Sequence, residues 1–290
     1  MTGLLLDAGA PAARRLCLLG AGNLNDVDIG LLLSAFDEIV AVDLDGAAVR
    51  RGLARQGFMD DRRITTAAPV DVTGVYPLLS HLVTRGIDNA GGTGPRDSAD
   101  GADLVDQCLV ALGGPPWTGH GSPFDVVGSV GLMTQLIDAA AGALGTAHPR
   151  LWPLVRAVRT QHLRLLLQLA TGGGAAVLVT EVLSSDTCPE LSSTTDADLP
   201  RLLDRQIAAR NFFTGTNPVA VRRAVSADPE LAGQLASCSV TPPWLWHFTA
   251  RTYATYALIL RTRREPDRCR AGPRHGPPRG NGGPPRNEAT

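Results

Sequence analysis

The stretch LCLLGAGNLNDVDIGLLLSAFDEIVAVDLD, Leu16 to Asp45, decides how the rest of the chain is read. Leu16-Cys17-Leu18-Leu19 is an apolar run too short for a helix and closed by glycine, so it reads as a buried strand. Gly20-Ala21-Gly22 turns the chain, because glycine accepts φ > 0 and lets a ligand approach the peptide plane. A helical pattern follows, with Ile29, Leu32, Leu33 and Phe36 on one face. A second apolar strand, Ile39 to Val42, ends in Asp43-Leu44-Asp45. Strand, glycine turn, helix, strand and acid make the βαβ unit that binds a nucleoside-containing cofactor at the carboxyl ends of parallel strands. Such a loop is expected to place free N–H groups and a helix N-terminus beside the ligand, with a carboxylate to accept ribose hydroxyl protons. The alternative is a turn that only packs, with Asp43 as a cap.

Downstream, strands and helices keep alternating. Gly46 to Gly57 suits an amphipathic helix, and Ile64 to Val72 a third strand, placed at an edge by Pro69. Tyr76 to Arg85 reads as a helix stopped by Gly86. Phe124 to Val130 is a fourth strand, Leu132 to Leu144 a helix, and Leu151 to Ala170 a longer helix ended by Gly172-Gly173-Gly174. Ala175 to Val182 is the clearest strand. Helices are expected over Leu199 to Phe213 and Val219 to Leu235, the latter broken near Pro229. Trp244 to Phe248 and Arg251 to Arg261 are strand-like and close together, which favours an antiparallel hairpin. The fold class is therefore α/β, a doubly wound and mostly parallel sheet with an antiparallel C-terminal hairpin.

This reading divides the chain into a lead-in (1–15), one domain (16–264) and a tail (265–290). The domain carries a loop-rich insertion over 87–123, rich in glycine and proline around a helix at Ala102 to Leu112. It reads as a surface insertion, with a lid over a substrate as the alternative. The tail is proline, glycine and arginine and is expected to be disordered.

Composition narrows the function. Net charge is −1 and every strong base is arginine, so no global field favours nucleic acid or an anionic membrane. Cys17, Cys108, Cys188, Cys238 and Cys269 are scattered, which suggests neither a disulfide framework nor a zinc site, and no metal is expected. No apolar run is long enough to span a membrane, and the start does not resemble a signal peptide. A cytoplasmic protein is expected; its oligomeric state stays open.

Four segments resemble class I S-adenosylmethionine-dependent methyltransferases, over about Leu16 to Arg263. Leu18-Leu19-Gly20-Ala21-Gly22-Asn23 resembles the first glycine motif, and Val42-Asp43-Leu44 the acid that holds the ribose. Asp71-Val72 resembles the pair flanking the adenine. Phe124 to Ser129 resembles the fourth-strand motif, whose end faces the methyl donor. GAGNLND, VDLD, TEVLSSDTCPEL and the WLW…YATYALILR ending look like an uncharacterised bacterial group within that superfamily. The resemblance implies S-adenosylmethionine as cofactor and methyl transfer to an acceptor, expected to be a small molecule. It implies cofactor contacts at Gly20, Ala21, Gly22, Asn23, Asp43, Leu44, Asp71, Val72 and Ser129, the last near the sulfonium. No catalytic residue is named by it.

Two departures stand out. Leu18 replaces an acid common two residues before the first glycine, and Leu24 replaces a third glycine. They motivate an alternative, an inactive methyltransferase-like binding module. A nicotinamide oxidoreductase is the other alternative, disfavoured because Asn25 stands where the dinucleotide loop needs glycine and Asp26 would repel a pyrophosphate. Glu181 and Ser184-Ser185-Asp186, at the end of the fifth strand, are candidates for the substrate mouth or for structural roles. His162 reads as a polar helix-face residue rather than a base, and Trp244 and Trp246 as core packing or hairpin anchors rather than a base-stacking platform.

Overall fold

A computed structural model describes residues 1–88, 99–114 and 123–264, with Trp117, Gly119 and Gly121. The expected tail, His120 and part of the 87–123 insertion lie outside the described residues. In chain order the first half holds α1 (Thr2–Ala8), β1 (Arg15–Leu19), α2 (Ile29–Leu33), β2 (Glu38–Val42), α3 (Gly46–Gln56) and β3 (Ile64–Ala67). Then come α4 (Tyr76–Asp88), α5 (Ala99–Gly113), β4 (Phe124–Val130), α6 (Leu132–Leu144), α7 (Leu151–Leu169) and β5 (Ala170–Ser184). A 3₁₀ turn (Pro189–Ser193) leads to α8 (Leu199–Ala208), α9 (Pro218–Ala227) and α10 (Pro229–Gln234). The chain closes with β6 (Leu235–Val240), β7 (Trp244–Phe248) and β8 (Arg251–Thr262).

The strands form one eight-stranded sheet in the order β3-β2-β1-β4-β5-β8-β6, with β7 also paired to β8. β1 to β5 are mutually parallel, while β8 runs antiparallel to β5, β6 and β7. This is the doubly wound α/β fold expected from the sequence, with the reversed strand inserted beside β5. The order reverses between β1 and β4, so a crevice opens at their carboxyl ends.

Alternation along each strand explains the continuous apolar runs. Leu16, Leu18, Ile39 and Ala41 pack with α1, α2 and α3 on one face. Cys17, Leu19, Val40 and Val42 pack with α4 to α7 on the other. Both faces are covered, so the central strands read as near-continuous apolar runs.

Several elements depart from the expectation. The lead-in contains α1, whose Leu5 is 1% exposed and rests on β4 where a Cβ on Gly128 would come within 2.7 Å of it. Arg261 Nη1 donates to the Ala8 carbonyl at 3.2 Å, tying α1 to β8. Leu5→Ala should destabilise the fold by about 2–3 kcal/mol, read as a lower urea midpoint; an unchanged midpoint would show that α1 does not contribute.

Helix α4 runs past Gly86 to Asp88, since one glycine weakens a helix without stopping it. Gly172-Gly173-Gly174 does not cap a helix but lies inside β5. There Phe124 pairs with Ala170 and Val126 with Ala175, and a Cβ on Gly174 would lie 2.7 Å from the Asp125 carbonyl. The glycines therefore admit a bulge and a close backbone approach. β6 and β7 lie in succession along β8, pairing with Leu258–Thr262 and Arg251–Thr255 in turn. Between them stand Pro242 and Pro243, which have no N–H to offer the ladder.

Candidate functional site: two cavities at the strand ends

The glycine bend is built by backbone conformation and one carboxylate. Gly20 has φ +67° and Gly22 φ +49°. The N–H groups of Gly20 and Ala21 donate to the Val42 carbonyl at 2.9 and 3.1 Å. The Gly22 N–H donates to Asp43 Oδ2 at 2.7 Å, and the Asp45 N–H to Asp43 Oδ1 at 2.7 Å. Asp43 thus faces the bend, and each of its oxygens has a further lone pair for a ligand hydroxyl. A Cβ on Gly20 would meet that of Leu132 at 2.8 Å, so the bend and the start of α6 are in contact.

The next residues differ from expectation. Leu24 is 2% exposed and holds φ +54°. Its room comes from α3, where a Cβ on Gly52 would lie 2.3 Å from the Asn23 carbonyl. Arg55 donates to the Asn23 carbonyl at 2.7 Å, and Gln56 to the carbonyls of Leu24 and Val27 at 2.8 and 3.1 Å. The small residue that permits close packing therefore sits on α3 instead of in the loop. Gly52, Arg55 and Gln56 escaped the sequence reading; a glycine inside an amphipathic helix was the available signal. α2 begins only at Ile29, capped by Asp28, which accepts the Leu31 N–H at 2.9 Å. The helix N-terminus expected directly after the bend is not there, because Asn23 to Asp28 form an irregular stretch.

A first cavity, about 190 Å³, opens between the bend and α6. Gly20, Asp43, Leu44, Asp71 and Val72 line it together, with Val42, Leu79, Leu132 and Leu136 among its apolar walls. Asp71 also shapes the loop after β3. Its Oδ1 accepts the Thr73 N–H and hydroxyl at 2.9 and 2.6 Å, and its Oδ2 accepts the Tyr76 N–H at 2.9 Å, at the start of α4. Among the described residues, no basic side chain lines it.

Ala21, Gly22, Asn23 and Ser129 are not part of this wall. Ala21 lines a small neighbouring hollow with Leu18 and Leu24. Ser129, expected near the sulfonium, has a buried hydroxyl 2.9 Å from His162 Nε2. It pairs with Leu19, whose side chain packs on the face covered by α7, so strand alternation turns both inward. His162 itself is 2% exposed, not on a polar helix face. Its Nδ1 lacks a hydrogen-bond partner among the described residues, and burial pushes its pKa down to about 4. An orphaned lone pair costs less than an orphaned N–H, which puts the neutral ring's proton on Nε2, donating to Ser129.

A second cavity, about 410 Å³, lies at the ends of β4 and β5 under the β7–β8 hairpin. Gln135 lines both cavities, so they adjoin. Glu181, Ser184 and Asp186 line this one, with Asp26, Asp138, Trp246, Phe248 and Tyr253. Glu181 is 5% exposed, and the Thr134 hydroxyl donates to its Oε2. Burial holds the Glu181 carboxyl above its ordinary range; the Thr134 bond opposes this, and Asp26 and Asp138 add to it. Burial likewise raises Asp26 and Asp138.

Family models and curated proteins gave no match to the chain. Solved structures with similar folds include the N-methyltransferase NodS from Bradyrhizobium japonicum WM9, at 11% identity and TM-score 0.41, covering 90% of this chain and 91% of that one. The YcgJ protein from Bacillus subtilis is 12% identical at TM-score 0.44, over 91% of this chain and 98% of that one. An rRNA methylase from Streptococcus thermophilus is 9% identical at TM-score 0.37, over 91% and 94%. Likenesses at this level assign no residue a role. Among the described residues, no helix is long and apolar enough to cross a membrane.

Proposed function

We propose that this chain, of Rossmann-like class I methyltransferase fold, is an S-adenosylmethionine-dependent methyltransferase acting on a small-molecule acceptor. The observation that carries the proposal is Asp43, at the end of β2, hydrogen-bonded to the Gly22 N–H and lining the first cavity. Adenosine would lie there, its ribose on Asp43 and its base between Leu44, Val72 and the apolar wall of α6. Asp71 would support the base site through the loop it folds. When bound, the cofactor supplies a methyl group already activated by its sulfonium, so the protein's part is alignment.

The chemistry of the wall fits this group better than a dinucleotide. A pyrophosphate needs N–H groups at a helix start or a basic side chain. Among the described residues no basic side chain lines the first cavity, and α2 does not begin at the bend. Gly52 also answers the departure at Leu24, since it restores close packing from the other side. That favours a working cofactor loop over an inactive module.

Calorimetry on the full chain tests the reading. Saturable binding of S-adenosylhomocysteine at roughly micromolar affinity, about −8 kcal/mol, is expected, with no heat from NAD(H) or NADP(H). Absence of binding to S-adenosylmethionine and S-adenosylhomocysteine would overturn it, and binding of a nicotinamide dinucleotide would replace it.

A further inference from the structure

The second cavity carries more acid than its surroundings neutralise. Arg251 also lines it, but its Nε is paired with Asp186 at 2.9 Å. Glu181, Asp138 and Asp26 have no ion pair among the described residues, although the amino group of Met1 acts on Asp26. Asp26 Oδ1 is buried without a hydrogen-bond partner among the described residues. Glu181 is more than nine-tenths buried and lines the space. Glu181 is the buried one of the three, Asp26 being half-buried and Asp138 exposed, and a buried carboxylate without a cation is costly.

An independent feature faces them. Trp246 stands between Phe248 and Tyr253, with ring centroids 5.3 and 5.2 Å away, and all three line the same cavity. Aromatic faces attract organic cations, whose apolar parts they also cover. Carboxylates beside such a cluster select positive charge on an apolar frame and reject an anion.

We infer that the second cavity binds a small organic amine as its cation, held by Glu181, Asp138 and Asp26 and covered by Trp246. Resting on the methyl-transfer reading above, this amine is the acceptor, presented beside the first cavity through the shared wall at Gln135. The Glu181 carboxylate would first take a proton from the bound ammonium, freeing the nitrogen lone pair. That pair would form the N–C bond as the S–C bond of the donor breaks, the sulfur keeping the S–C electron pair and the product leaving as the methylated ammonium. A carboxyl whose affinity for protons is raised by burial suits that step.

The test is calorimetry on the full chain saturated with S-adenosylhomocysteine, using 2-phenylethylamine, 2-phenylethanol and 3-phenylpropionic acid as probes. The amine is expected to bind at least about tenfold more tightly than the alcohol or the acid. Glu181→Gln and, separately, Asp138→Asn should remove most of that preference while S-adenosylhomocysteine affinity is retained. Retained affinity shows that each variant is folded. Equal binding of the three probes, or a preference that survives both substitutions, overturns the amine site and leaves the cofactor reading standing. Amine binding without any binding of S-adenosylhomocysteine overturns the cofactor reading, and the acceptor role falls with it.

Discussion

Asp43→Ala should weaken S-adenosylhomocysteine binding by at least about a hundredfold, a loss of roughly 2.7 kcal/mol. Two effects add. The ribose loses its anionic acceptor, and hydrogen bonds to charged groups contribute roughly 1.5–3 kcal/mol each. The bend also loses its anchor, because the Gly22 N–H and the Asp45 N–H both end on this carboxylate. The bend would then have to be ordered by the ligand, at the ligand's expense. Asp43→Asn keeps one acceptor oxygen and should fall between wild type and Asp43→Ala. Calorimetry gives the affinities, and urea unfolding separates the loss of binding from the loss of fold. An Asp43→Ala affinity within about threefold of wild type would remove Asp43 from the cofactor site.

The second large effect is a pH-dependent stability centred on His162. This ring is neutral in the fold, with a pKa of about 4 against an ordinary 6.5, and burial alone is the cause. The unfolded chain therefore binds the proton more readily between those values. Stability from this group is complete above pH 6.5 and falls as pH drops toward 4, by about 3 kcal/mol in all. Glu181, Asp26 and Asp138 have raised carboxyl pKa values, so their contribution runs the other way, with stability falling as pH rises through their folded range. The comparison with His162→Gln cancels them. The amide can still hydrogen-bond Ser129, but it does not titrate. Urea unfolding at pH 7.5 and pH 5 should show a stability gap between variant and wild type that shifts in the variant's favour at the lower pH. A gap independent of pH would mean that His162 is not held neutral by burial.

Both effects depend on positions of unequal legibility in the sequence. The strand–bend–strand–acid order from Leu16 to Asp45 was readable because strand periodicity and glycine conformational freedom are local properties. The alternation of strands and helices gave the parallel sheet, and the closely spaced Trp244–Phe248 and Arg251–Arg261 segments the reversed strand, whereas Asp71 and Val72 were grouped with Gly20, Asp43 and Leu44 only through the family resemblance; all five line one cavity. Glu181, Ser184 and Asp186 were also legible as a strand-end cluster, though not their joining with Asp26 and Asp138. Ser129 was misplaced because its direction depends on which face of β4 is covered by α7, a fact no neighbouring residue records. α1 was missed because so short a helix gains its stability from packing on Gly128 and β8, not from its own sequence.

Local chemistry in the chain, then, was enough to set the succession of strands and helices, the bend and the acid that closes it. Only tertiary structure decided that Gly52 makes room for Leu24, that His162 is buried against Ser129, and that carboxylates and aromatic rings distant in sequence share the second cavity. The physical reason is range: backbone conformation and alternation act between near neighbours, whereas burial, close approach and the mutual field of carboxylates exist only after the helices have packed on the sheet.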